Sequence, residues 1–237
     1  MQEVSNNWAA IFASDSHWCE YRIIIDGTEY LKTNIQPFTI NRALFQDELS
    51  IGNCYAARLN ITIIPQGSIP RMAEIEVFMR LARYNRVAAT NEYTGWIPKG
   101  VFYFDTREAS ASGLWLAVDA YDAMMKAEQS YLGDVTTDEW PKPEDEVLAE
   151  ICARMDIEID ERTIIQPYYM VDYPNDLTMR EVLGHIGVAH GGNWIVTDAG
   201  KLRLVPLVSI PGETFGVMSD FREQIYTDDG YMLVWRV

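Results

Sequence analysis

The sequence predicts an α+β protein. An antiparallel β-barrel or sandwich comes first, then a small helical module with a β-hairpin, then the start of a second β region. Three observations carry this. Ala73, Ile75, Val77, Met79 and Leu81 alternate with a mostly charged set, Glu74, Glu76, Phe78, Arg80 and Ala82, as a half-buried antiparallel strand requires. Asp26-Gly27 joins two β-rich runs, the composition of a primed hairpin turn. Met179, Val182, Leu183, Ile186 and Ala189 recur with helical period, behind a Thr178-x-x-Glu181 capping box.

Taken in order, Trp8, Ala9, Ile11 and Phe12 suggest one short amphipathic turn within an N-terminal arm at 1–19. Strands are predicted at Tyr21–Ile25, Thr28–Leu31, Phe38–Leu44, Arg58–Ile64, Ala73–Ala82, Gly95–Asp105 and Leu114–Tyr121, with Pro98-Lys99-Gly100 at a turn or bulge. That spacing gives a barrel-like domain over 20–130. The acidic, proline-bearing run 134–146 reads as a linker entering a helix, where Glu144, Asp145 and Glu146 complement the positive end of the dipole. Val147, Leu148, Ile151 and Met155 form the buried stripe of that helix. Ile157, Ile159, Ile164 and Ile165 suggest short extended pieces. The linker and helical module occupy 131–207: after the Thr178 helix, Gly191 and Gly192 are expected at positive φ, and Asn193–Thr197 and Leu202–Val205 form a hairpin turned at Asp198-Ala199-Gly200. An incomplete second β region follows at 208–237, with Asp229-Gly230 as a turn.

The 237 residues hold 35 acids against 19 Lys and Arg, a net charge of −16, which disfavours nucleic-acid or anionic-membrane binding as a main role. No apolar run is long enough for a transmembrane span, and the N-terminus lacks a signal-peptide pattern. The cysteines at 19, 54 and 152 are too scattered for a disulfide framework or a metal knuckle, as in a chain made in a reducing cytoplasm.

Nucleophile-elbow, zinc-protease, phosphate-loop and dinucleotide motifs are all missing. His185 and His190 sit five apart on one helix and diverge; His190 suits a C-terminal cap interaction. Asp156, Glu158, Asp160 and Glu161 lack the glycine and distal Glu of a calcium loop. Asp119 with Asp122, or Glu74 with Glu76, would serve glycoside hydrolysis only if they converged in a cleft. Asn60-Ile61-Thr62 is a glycosylation sequon inside a predicted strand. Trp96, Tyr103, Trp115, Trp140, Tyr168 and Tyr169 suit either a sugar-binding face or a subunit interface. No catalytic, cofactor-binding or metal residue is assigned, and no cofactor is expected.

The helix entered by T-M-R-E-V-L, closed by A-H-G-G-N-W and followed by D-A-G-K-L-R-L-V-P-L, resembles the helical module of tailed-phage baseplate-hub proteins, some described as prophage tail endopeptidases. The G-V-F-Y-F-D and L-W-L-A-V-D-A-Y-D strands look like the paired strands of that family's first barrel, and the likeness runs over about residues 20 to 210. It implies a structural, non-enzymatic part of the virion tail, made in the bacterial host cytoplasm. This would be a homotrimeric ring of pseudo-sixfold symmetry joining the tail tube or distal tail protein to tail-tip proteins, without contacting membrane. DNA would pass through the ring without direct binding, with lumenal carboxylates repelling it. The chain ends at Val237, soon after a second barrel would begin, which suggests a truncated or short member with no endopeptidase module. The alternative is a carbohydrate-active or cell-wall hydrolase, or a glycan-binding module, using acidic and aromatic residues.

Overall fold

A computed structural model describes residues 7–30, 32–45, 50–133, 140–166, 168–207, 214–216 and 234–236. Helix α1 (Trp8–Phe12) leads into β1 (His17–Ile25) and β2 (Thr28–Tyr30), followed by β3 (Thr39–Asn41), β4 (Arg58–Ile63), β5 (Glu74–Asn85), β6 (Thr90–Tyr93), β7 (Ile97–Ala109) and β8 (Leu116–Tyr121). These form one antiparallel sheet in the order β2-β1-β5-β7-β8-β4-β3, with β6 on the end of β5 that β7 does not reach. Asp26 and Gly27 both have positive φ, 46° and 75°, so the β1–β2 turn is the primed hairpin that Asp-Gly predicts. The Pro98–Gly100 irregularity is a bulge, because the β5–β7 register shifts at Val77/Phe78 opposite it. The strand expected at Phe38–Leu44 shortens to β3, and β6 falls in a run too polar to predict.

The sheet is sandwich-like and open: among the described residues, its edge strands β2 and β3 do not pair with each other. It curls nonetheless. β2 ends at Tyr30, yet the Asn34 carbonyl already accepts from the Ile64 N–H and the Gln36 N–H bonds Thr62, both beside β4 at the other edge. Four residues reach at most about 14 Å, so the two edges lie close together. The concave face encloses Ile23, Ile25, Leu59, Ile63, Ile75 and Phe102, all buried, each alternating with outward residues as the pleat dictates.

A 3-10 turn over Ala123–Glu128 leaves β8 and starts a second apolar cluster. The short β9 (Lys142–Pro143) precedes α2 (Glu144–Met155) and pairs with β10 (Met170–Val171); α3 (Met179–Ala189), β11 (Gly192–Val196) and β12 (Leu202–Pro206) complete the layer. The α2 stripe and the α3 stripe are buried as their periods predict, against the hairpin's Trp194, Val196, Leu202 and Leu204. Both halves of the capping box form: Glu181 N–H bonds the Thr178 hydroxyl at 3.2 Å, and Thr178 N–H bonds the Glu181 carboxylate at 2.8 Å. One expectation is corrected. Gly191 has φ of 61°, but Gly192 already belongs to β11, where a Cβ would meet the Val205 carbonyl at 2.8 Å. Ile159 forms a single parallel bridge to Leu202, and Ile164 and Ile165 lie in no strand. A pair β13 (Thr214–Gly216) and β14 (Val234–Arg236) lies in the final region; the Asp229-Gly230 turn and most of the linker at 134–139 fall outside the described residues.

The two layers meet closely where residues 50–54 cross α3. Gly52 has φ of 80°, and a Cβ there would lie 2.5 Å from Val188 Cγ2 and 2.6 Å from the Gly184 carbonyl oxygen. Gly27, at a similar φ, has open space around it. Gly27→Ala is therefore expected to cost about 1 kcal/mol from backbone strain alone. Gly52→Ala should cost at least about 2 kcal/mol more, because backbone must also shift; urea denaturation of the two variants side by side measures the difference.

Candidate functional site

Adjacent residues of a strand point to opposite faces, and the Asn193-Trp194 pair of β11 uses this to join the layers. Trp194 points into the second core, fully buried, with its indole N–H on the Leu183 carbonyl of α3 at 2.6 Å. Asn193, also fully buried, points the other way. Its amide nitrogen donates to the Leu44 and Ser50 carbonyls, both at 2.9 Å, and its oxygen accepts from Asn53 N–H at 2.9 Å. One side chain thus fixes both ends of the segment that connects β3 to β4. Nothing in composition singles out Asn193; the only sequence signal is a polar residue in an otherwise apolar strand.

The face of the hairpin that carries Asn193 also carries Ile195, Thr197, Arg203 and Val205, and with residues 42–44, 55–57 and 160–162 it walls a cleft of about 930 Å³. Arg42 enters from the sheet side, paired with Asp198 at the hairpin turn and bonded to the Lys99 carbonyl. Arg162 chelates Asp160 through Nε at 2.6 Å and Nη2 at 2.5 Å, and holds that carboxyl well below the usual range. Lys201 pairs with Glu158 at 2.7 Å.

Asp122 closes the floor. Its two oxygens accept the Ala57 and Met124 N–H groups, each at 3.0 Å, tying the start of β4 to the 3-10 turn. Burial dominates these bonds and pushes its carboxyl up to about 6 from an ordinary 3.8.

Asp119 and Asp122 do not converge. Asp119 faces outward, bonded to Arg58 at 3.0 Å and to Asn60, while Asp122 is spent on backbone. Glu74 lies beside Tyr103, whose hydroxyl is pushed up to about 12 by burial and neighbouring acids. Asp156 is the left-handed cap of α2, Glu158 and Asp160 have separate cationic partners, and no cluster suited to a metal occurs among the described residues. His185 lines an exposed groove beside α3. His190 does cap α3, but its ring reaches further than a cap: Nε2 lies 2.6 Å from the Glu144 carboxylate, with the side chains only 7% and 5% exposed. Both helix ends favour the charges of this pair. Burial raises the Cys54 thiol to about 12 and the Cys152 thiol to about 11, so neither is nucleophilic near neutrality.

The six aromatics are dispersed over the molecule. Trp96 and Tyr93 flank the Arg80 guanidinium at 4.4 and 4.0 Å, on the outer face of the sheet. Tyr103 lies beneath the Lys126 ammonium at 3.8 Å, Trp140 packs edge-on to Tyr131 and Tyr173, and Trp115 is half-buried near the β7–β8 turn. Tyr168 is largely exposed beside Tyr169, whose ring lies tilted against His190 at 5.2 Å.

No family model matches the sequence, and no curated protein matches it. Solved structures do. The 43 kDa tail protein of prophage MuSo2 from Shewanella oneidensis superposes with a TM-score of 0.55 at 10% identity, over 85% of this chain and 63% of that one. The tail protein from Neisseria meningitidis MC58 gives 0.50 at 11% identity, over 88% of this chain and 54% of that one. The fold is similar to that of these two tail proteins. The chain spans between about half and two thirds of the length of these tail proteins.

Two outcomes follow from the buried polar groups. A carboxyl whose folded pKa exceeds its unfolded value destabilises the fold when ionised, so the Asp122 contribution improves as pH falls from about 6 toward 4. Asp122→Asn removes the titration. Its stability deficit against the parent should therefore be larger at pH 4.5 than at pH 7, by roughly 2 kcal/mol; denaturant unfolding at both pH values measures it. His190→Ala leaves the Glu144 carboxylate buried without its partner and should cost about 3 kcal/mol. Replacing both residues with leucine should cost less than the two single leucine changes summed, which a double-mutant cycle will resolve.

Proposed function

We propose that this chain is a structural component of a phage or prophage tail, a subunit of the baseplate hub ring that links the tail tube and distal tail protein to the tail tip. The observation that carries the reading is the fold likeness to two tail proteins, one of them from a prophage, over most of this chain. The chemistry of the surface supports it. Of the acids that would have to converge for a hydrolase, Asp119 neutralises Arg58 and Asp122 holds backbone, and the aromatics are scattered. In this reading 1–19 is an arm, 20–130 the ring-forming sheet domain, 131–207 the helical module and 208–237 the opening of a second β region. Three copies close the ring by self-association. The net charge of −16 keeps DNA passing through the lumen from adhering to its wall.

Sedimentation velocity should show a species near three times the 27.1 kDa chain mass as concentration rises. Antibody raised against the chain should label the tail ends of purified particles, and incubation with peptidoglycan should release no muropeptides. A chain that stays monomeric and is missing from tails would sink the assembly reading, whereas muropeptide release would move the protein into the hydrolase class.

A further inference from the structure

The cleft between hairpin and sheet holds one cation unlike the others. Arg42, Arg162 and Lys201 each face a bonded acid. Arg203, on β12, lines the same space, yet its Nε is shielded and bonds no described residue, and none of its other donors does either. Asp160 is near enough to act on it electrostatically, but that carboxylate is already chelated by Arg162. A guanidinium presents a planar fork of donors that matches a carboxylate, and here the shielded Nε has no bond to offset its burial while the residue as a whole is half-exposed. Ala43, Leu44, Pro98, Ile195 and Val205 supply an apolar lining next to it. Cationic and acidic side chains line the cleft in equal number, so an incoming single negative charge meets no net repulsion, although the chain as a whole carries −16.

We propose that Arg203 is the anchor of a binding site for a singly charged carboxylate carrying a short apolar body. Polyanions are disfavoured, because Asp160, Glu161 and Asp198 line the same cleft. The carboxylate has two possible sources, a free small organic acid or an acidic side chain of a second copy of this chain, and the chemistry of capture is the same. The proposal does not depend on the tail assignment, since the first source needs no assembly.

The test uses the full chain with butyrate as probe, at ionic strength matched with chloride, and with phosphate as control. If the source is a small acid, butyrate raises the melting temperature of the parent and binds calorimetrically, phosphate does neither, and Arg203→Ala loses the response. If the source is a second copy, butyrate has no effect, but the parent self-associates in sedimentation and Arg203→Ala weakens that association at least tenfold. An Arg203→Ala chain indistinguishable from the parent in both measurements overturns the proposal, and so does an equal butyrate response in the two, which marks an adventitious additive only. Arg203→Lys, which keeps the charge without the fork, guards against a folding defect: it should remain folded and bind about tenfold more weakly than the parent.

Discussion

The fold depends on a single alternation in β11, where Asn193 and Trp194 face opposite ways. Each layer has a core of its own, and from the sheet side the second core takes in Cys54, Ala56 and Tyr103. The junction is otherwise polar and highly directional. Asn193 satisfies two carbonyls and one amide of the segment between β3 and β4, and Gly52 in that segment lets it press against α3. Buried backbone groups that cross a layer boundary must find partners, and a carboxamide offers donors and an acceptor at once. Asp122 does a related job at the other end of the seam with two acceptors.

Because the junction is polar, it leaves room. The face of the hairpin that carries Asn193 is a wall of a cleft rather than of a close-packed core, and Arg42, Arg162 and Lys201 line it in pairs with acids. Such bonding explains why the acids that look reactive in sequence are chemically occupied. A carboxylate bonded to an arginine or to two amides is held in one orientation, with its oxygens already engaged.

Much of the secondary structure was legible. The strands β4, β5 and β8, the β1–β2 turn, both long helices and the final hairpin follow from period, turn chemistry and caps, all of which act over a few residues. β6 escaped because Thr90–Tyr93 is polar and pairs only with the end of β5. The open, curled form of the sheet escaped because strand count does not specify whether edges pair; the short link from Tyr30 to Asn34 decides it. Of the site, the sequence marked His190 and Asp122 as notable residues but not what they touch. It gave no hint of Asn193, Arg42 or Arg203, whose roles depend on neighbours more than forty positions away or on the lack of one.

By itself the amino-acid order determined the local elements, the acidic surface and the α+β class, because hydrophobic period, capping and turn preference are properties of neighbours along the chain. Tertiary structure alone decided which acids would be neutralised, that the Arg203 Nε would stand unbonded in the cleft, and that the six aromatics would not share a face. Those outcomes depend on distances between residues that the chain brings together only when both layers have packed.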